Sequence, residues 1–172
     1  MDASSKWEDS LPTTSGQLLK FLDDCKITFT FHEHPPIFTV KDAKSYQRGM
    51  KGIHVKNLFL RDKKKQNFLI VTEQDHLINL KNLPSTIQSD KLSFGSSERL
   101  FEFLGIRPGA VSPFALINDK ENNVTLVLEK KLESTETIFF HPLVNDKTVG
   151  ITFFNFQKFL TAIDHQHRIE KI

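Results

Sequence analysis

Lys51-Gly52-Ile53-His54-Val55-Lys56-Asn57-Leu58-Phe59-Leu60-Arg61-Asp62 is the stretch whose reading decides the fold. Its second half alternates as a half-buried strand requires, with Val55, Asn57 and Phe59 on one face and Lys56, Leu58 and Leu60 on the other. The charged run Asp62-Lys63-Lys64-Lys65-Gln66 turns the chain, and Asn67–Thr72 is expected to pair back as a hairpin. Lys56 is the anomaly, because it shares a face with two leucines. Either it snorkels at a sheet edge, or it is a functional ammonium held in a cleft. Spacing leaves both readings open.

Working outward, Gly49 and Gly52 separate this strand from a short helix running to about Gln47, which Thr39 and Asp42 open as an acidic capping box. His34-Pro35-Pro36-Ile37-Phe38 must be extended, since a residue before proline is pushed out of the helical region. Thr28–His32 alternates as a first strand, preceded by a helix capped by Thr14 or Ser15 with Leu18, Leu19, Leu22 and Cys25 at helical spacing. On the other side, Leu77–Ile87 is broken by Pro84, and Leu92–Phe94 reads as a short strand. A helix over Glu98–Leu104 turns Leu100, Phe101 and Leu104 inward and stops at Gly105. After the loop Pro108–Pro113 come strands at Val124–Leu128, Thr137–Phe140 and Val149–Thr152, then a helix over Phe153–Ile163 and an edge strand over Arg168–Ile172. Strands and helices mixed without a βαβ repeat give one α+β domain over residues 1–172, a mixed β-sheet core surrounded by helices. Met1–Pro12 is polar and reads as a flexible segment.

With 172 residues, the chain supports one good core. The aromatic set contains 16 Phe against one Trp and one Tyr, so phenylalanine must fill much of that core. The single cysteine, Cys25, excludes an internal disulfide and fits a reduced, cytoplasmic setting. No run approaches the roughly 20 apolar residues of a membrane span. A net charge of +2 permits local contact with a nucleic acid end and does not predict a broad phosphate-binding surface.

Few constellations carry chemistry. There is neither a glycine-rich phosphate loop nor a Gly-x-Ser-x-Gly elbow. His32 and His34 share a strand face but lack a third ligand at a persuasive spacing, so no metal site is expected. His165 and His167 read as a solvated tail. Gly109-Ala110-Val111-Ser112-Pro113 forms a stiff loop whose amides can meet a ligand oxygen or serve only as a turn. His141, held extended before Pro142, is a cleft imidazole or a satisfied structural residue.

Several segments taken together resemble the YbaK/aminoacyl-tRNA deacylase family. They are His34–Val40, Gly52–Leu60 with its Lys56-Asn57-Leu58-Phe59-Leu60 core, Phe94-Gly95-Ser96 with Leu104-Gly105, Gly109–Asp119 and Phe140–Asn145. They keep the family's order, and within it they are most similar to free-standing Ala-tRNA(Pro) deacylases of the ProXp-ala type. The resemblance implies trans-editing: hydrolysis of the ester joining a wrong amino acid to tRNA(Pro), without a metal, cofactor or covalent nucleophile. It implies that Lys56, Gly109 and His141 are catalytic. Asn57, Ala110, Val111, Ser112 and Pro113 then contact substrate, with Ile37, Phe38, Val40 and Leu116 as walls that exclude proline. The partners implied are the tRNA(Pro) acceptor end and prolyl-tRNA synthetase, with no membrane. A Cys-tRNA(Pro) deacylase, a non-catalytic tRNA- or synthetase-binding module and a small-molecule binding protein remain alternatives.

Overall fold

A computed structural model describes residues 4–37 and 39–172. The described residues form five α-helices: α1 (Ser15–Asp24), α2 (Val40–Tyr46), α3 (Leu83–Ile87), α4 (Ser97–Leu104) and α5 (Phe153–Ala162). The strands are β1 (Thr30–Glu33), β2 (Ile53–Asp62), β3 (Asn67–Glu73), β4 (Leu92–Phe94), β5 (Val124–Glu129), β6 (Ile138–Phe140), β7 (Lys147–Ile151) and β8 (His167–Glu170). They form one mixed sheet in the order β1-β7-β6-β2-β3-β5-β8, with β4 also paired to β2. The α+β, single-domain reading holds.

The decisive stretch becomes the strand shared by the two halves of this sheet. β2 and β3 pair antiparallel from Val55 opposite Glu73 to Arg61 opposite Asn67, as the alternation predicts. Val55 and Phe59 face the larger core, built with Leu18 and Leu22 of α1, Leu100 and Leu104 of α4, and Phe156, Phe159 and Leu160 of α5. Leu58 and Leu60 face a smaller cluster with Phe68, Ile70, Leu83, Ile87 and Val127. Phenylalanine does fill the larger core: Phe114 meets Phe140, Phe156 and Phe159 edge-on at 5.1 to 6.1 Å.

The other edge of β2 is interrupted. It pairs parallel with β6 only at Ile53 and His54, and antiparallel with β4 only from Leu60 to Asp62. Between these points the strand edge has no strand beside it, because β6 ends at Phe140 and the chain departs through the 141–146 loop. A parallel pair that splits in this way leaves a crevice beside its carboxyl ends, where open α/β sheets also bind ligands. Gly52 permits the approach of the two strands. A Cβ there would lie 2.4 Å from the Thr137 carbonyl oxygen and 2.8 Å from the Phe139 ring.

Three expectations are corrected. Ser4–Ser10 is a 3-10 segment, not part of a flexible tail. Ser4 is buried, and its amide and hydroxyl both donate to Asn145 Oδ1 at 2.9 and 2.8 Å, which ties it to the 141–146 loop. Phe101 does not turn inward but is 39% exposed, lying under the Arg107 guanidinium at 5.3 Å. His165 is buried, not solvated, with Nε2 3.4 Å from Asp119 Oδ2. Elsewhere the capping signals are realised: Thr14 with Gln17 and Thr39 with Asp42 both form reciprocal boxes, and Gly105 ends α4 at φ +61°.

Candidate active site

The crevice beside β2 is a cleft of about 300 Å³. β2 contributes His54, Val55, Lys56 and Asn57, and the end of β6 contributes Phe139 and Phe140 followed by His141. Gly109 and Val111 close one side; His34, Ile37 and α2 with its flanks close the other. Segments far apart in sequence therefore meet where the sheet splits.

Lys56 is half-buried, and its Nζ donates to the carbonyl of His76, just beyond β3. That carbonyl is itself placed by an acid. His76 Nδ1 lies 2.9 Å from Glu129 Oε1, and Glu129 Oε2 accepts the Glu73 amide at 2.8 Å. Glu129 is buried, so this chain of bonds anchors the loop that receives the ammonium. An ammonium has three donors, and the His76 carbonyl engages one. Lys56 therefore lines the cleft with two of its N–H donors left over.

Asn57 clamps the glycine loop, with Nδ2 donating to the Val111 carbonyl at 2.8 Å. Its Oδ1 is buried without a partner among the described residues. Gly109 has φ +90°, a conformation that disfavours any residue with a Cβ. The Ala110 amide is consumed by the Arg107 carbonyl at 3.2 Å. The Gly109 and Val111 amides make no hydrogen bond among the described residues, which leaves both free to donate.

His141 Nδ1 donates to the Lys147 carbonyl at 2.8 Å. Burial pushes its pKa below the usual histidine value; the Lys147 carbonyl opposes this, and nearby His34 adds to the depression. As a neutral ring with Nδ1 committed, it keeps a lone pair on Nε2. His34 has none to spare. Its Nδ1 donates to the Pro35 carbonyl at 2.8 Å, and its Nε2 meets Thr148 Oγ1 at 2.8 Å. His54 stacks on Phe139 at 4.5 Å. Its pKa is also lowered by burial, a bond to the Met50 backbone opposing and His32 adding to the shift, and its Nε2 is buried without a partner among the described residues.

The cleft thus gathers Lys56, Asn57, Gly109, Val111, His141 and Ile37 from the residues expected in the site. It does not gather Ala110, Ser112, Pro113 or Leu116. Ala110 and Leu116 are core residues, and Ser112 caps the 3-10 turn Pro113–Asn118 by accepting the Phe114 amide. Phe38 and the Val40 side chain lie outside the described residues. The sequence reading missed His54, Tyr46, Gln47, Gln74, Phe139 and Thr148. The only local signal was for His54, which lies on the same strand face as Lys56 two residues later. No group of three His, Cys, Asp or Glu residues suited to a metal occurs among the described residues.

The aminoacyl-tRNA editing domain family matches residues 34–159, a span that contains every cleft residue named above. The chain belongs to the aminoacyl-tRNA editing domain family. A prolyl-tRNA editing protein ProX from Acetoanaerobium sticklandii is 39% identical over 142 residues, covering 82% of this chain and 87% of that protein. A prolyl-tRNA synthetase associated domain-containing protein 1 from Danio rerio is 35% identical over 151 residues, covering 87% of this chain and 82% of the relative. Among solved structures, a candidate trans-editing enzyme for prolyl tRNA synthetase superposes with a TM-score of 0.67 at 17% identity. That superposition covers 92% of this chain and 97% of the other, and it shows a shared editing-domain fold.

Proposed function

We propose that this chain is a trans-editing aminoacyl-tRNA deacylase that hydrolyses alanine mischarged onto tRNA(Pro). One observation carries the reading: Lys56, Asn57, Gly109, Val111 and His141, scattered over the sequence, line one cleft. Membership of the editing-domain family and the printed names of the relatives point to the same substrate class. The volume sits at the lower end of the roughly 300–1,000 Å³ usual for ligand sites, which suits an aminoacylated terminal nucleoside entering end-on.

The chemistry asks little of the protein. An aminoacyl ester is already activated, so a positioned water adds to its carbonyl carbon and negative charge gathers on the carbonyl oxygen. On this reading the Gly109 and Val111 amides donate to that oxyanion, each good donor supplying about 3 kcal/mol. Lys56 adds positive charge, and its free N–H groups hold the ribose or the carbonyl. Neutral His141 offers Nε2 to the attacking water and accepts its proton. Collapse of the adduct breaks the bond to the ribose oxygen, which takes up a proton, and alanine and free tRNA leave. Asn57 Oδ1 offers an acceptor to the substrate's α-ammonium. Proline is kept out by steric exclusion: a pocket that merely preferred alanine by one or two methylenes would gain only about 10- to 200-fold. Ile37, Val111 and Phe139 supply apolar wall.

The working partners are then the tRNA(Pro) acceptor end and, in the same cycle, prolyl-tRNA synthetase, with action in the cytoplasm. Among the described residues no helix is long and apolar enough to cross a membrane. The test is deacylation of Ala-, Cys- and Pro-tRNA(Pro) side by side. Clearance of the alanyl ester with the prolyl ester untouched is expected. Preferential clearance of the cysteinyl ester would move the substrate, and turnover of none would favour a binding module.

A further inference from the structure

Tyr46 ends α2 at the mouth of the cleft, and none of the steps above uses it. It is 43% exposed. A single exposed aromatic is common on protein surfaces, but this one is built into place. One face of its ring lies along the His34 imidazole, with centroids 6.0 Å apart and planes inclined by 27°. His34 cannot swing away, because both of its nitrogens are engaged, by the Pro35 carbonyl and by Thr148 Oγ1. α2 is held as well. The Thr39–Asp42 box fixes its start, and just past its end the Gln47 and Gln74 amides exchange bonds of 3.0 and 2.8 Å. The result is a rigid ring backed by protein and partly open to solvent.

Its setting is cationic. Lys41, Arg48 and Lys51, all within five residues of Tyr46 in sequence, are exposed and have no ion pair among the described residues, while Lys44 is paired to Asp75 at 3.0 Å. A flat aromatic face beside unpaired cations is the combination that single-stranded nucleic acid ends use, bases stacking on rings and phosphates following the charge.

We infer that Tyr46 is the stacking platform for the terminal adenine of the tRNA 3′ end, holding the nucleoside at the rim while its ester reaches Lys56. This rests on the deacylase reading and assigns the nucleobase subsite of the same cleft. The ring supplies the interaction, since the Tyr46 hydroxyl makes no hydrogen bond among the described residues; Tyr46→Phe should therefore work and Tyr46→Ala should not. Tyr46 binds and positions; it does not touch the reacting carbonyl.

The test compares the full-length wild type, Tyr46→Phe and Tyr46→Ala on Ala-tRNA(Pro), with melting curves to confirm that each is folded. Stacking of one base predicts a roughly ten- to hundredfold lower kcat/KM for Tyr46→Ala, carried by KM with kcat nearly kept, and recovery with Tyr46→Phe. A second arm titrates the trinucleotide CCA and follows the ring signals of the sole tyrosine by NMR in the wild type. Saturable upfield shifts of those signals are expected, and CCA should compete with Ala-tRNA(Pro) in the wild type but not in Tyr46→Ala. The platform is overturned if Tyr46→Ala stays within twofold of wild type, if kcat falls with KM unchanged, or if CCA leaves the ring signals unmoved. Absence of any wild-type deacylation would overturn the deacylase reading alone, because the CCA titration still decides the platform.

Discussion

Gly109 and Glu129 show how single residues set this site. The φ of +90° at Gly109 costs a residue with a Cβ about 1–2 kcal/mol, although the nearest atom to such a Cβ, Asn145 Nδ2, is 3.8 Å away. Gly109→Ala should therefore lose about 1–2 kcal/mol in chemical denaturation, and deacylation should fall at least tenfold as the loop amides tilt. Unchanged activity would remove the loop from the chemistry. Glu129 is tied to the cleft through His76, whose carbonyl receives Lys56. Glu129→Ala should lower kcat more than it raises KM and cost about 1–3 kcal/mol for the buried partners left unpaired. A variant that loses stability with kcat intact would show that Glu129 only braces the fold. Lys56 was legible as an anomaly, a charge among leucines. His76 and Glu129 were not, since nothing in their neighbourhoods announces a bond to a strand across the sheet.

At the scale of elements, local signals were readable and distant pairings were not. The β2–β3 hairpin follows from alternation on both sides of a charged turn, and the two capping boxes follow from residues three apart. The parallel pairing of β2 with β6 joins residues such as Ile53 and Ile138, for which the sequence offers no local rule. That pairing is what opens the cleft. Gly52→Ala tests it: the new Cβ would press on the Thr137 carbonyl at 2.4 Å and on the Phe139 ring. Overpacking of this kind costs about 1–3 kcal/mol, and the Gly52→Ala denaturation midpoint should fall accordingly, with deacylation reduced further than for Gly109→Ala. A wild-type midpoint would mean that the two strands need no such approach. The Ser4–Ser10 segment was unreadable for another reason: its hold on the 141–146 loop runs through one serine and one asparagine, with no periodic pattern to find.

For the whole molecule, a buried ion pair outside the cleft bears on stability against pH. Asp119 is buried against His165, and neither lines the cleft. Burial alone would raise its carboxyl pKa, but the hydrogen bond to His165 and the amides of Asn123 and Val124 outweigh it, and the value falls below the usual carboxylate range. A depressed folded value stabilises the fold above the unfolded pKa of about 3.9, and that contribution is lost as pH falls through the folded value. Asp119→Asn should therefore flatten the acid limb of stability against pH below about 4, as followed by thermal melting; an unchanged limb would place the acid sensitivity elsewhere. The overall architecture and the editing family were legible because their motifs are spread along the chain in order. The exact cleft was not, because Phe139, Thr148 and Tyr46 reach it from elements whose packing only the fold reveals. The central claim is that this cleft hydrolyses a mischarged ester and that Lys56 is required. The most direct measurement is the deacylation rate of Ala-tRNA(Pro) by wild type and Lys56→Ala, with Pro-tRNA(Pro) as the control. The account predicts rapid loss of alanine by the wild type, none of proline, and a fall toward the uncatalysed rate with Lys56→Ala. Full activity in Lys56→Ala, or no alanine release by the wild type, would contradict it.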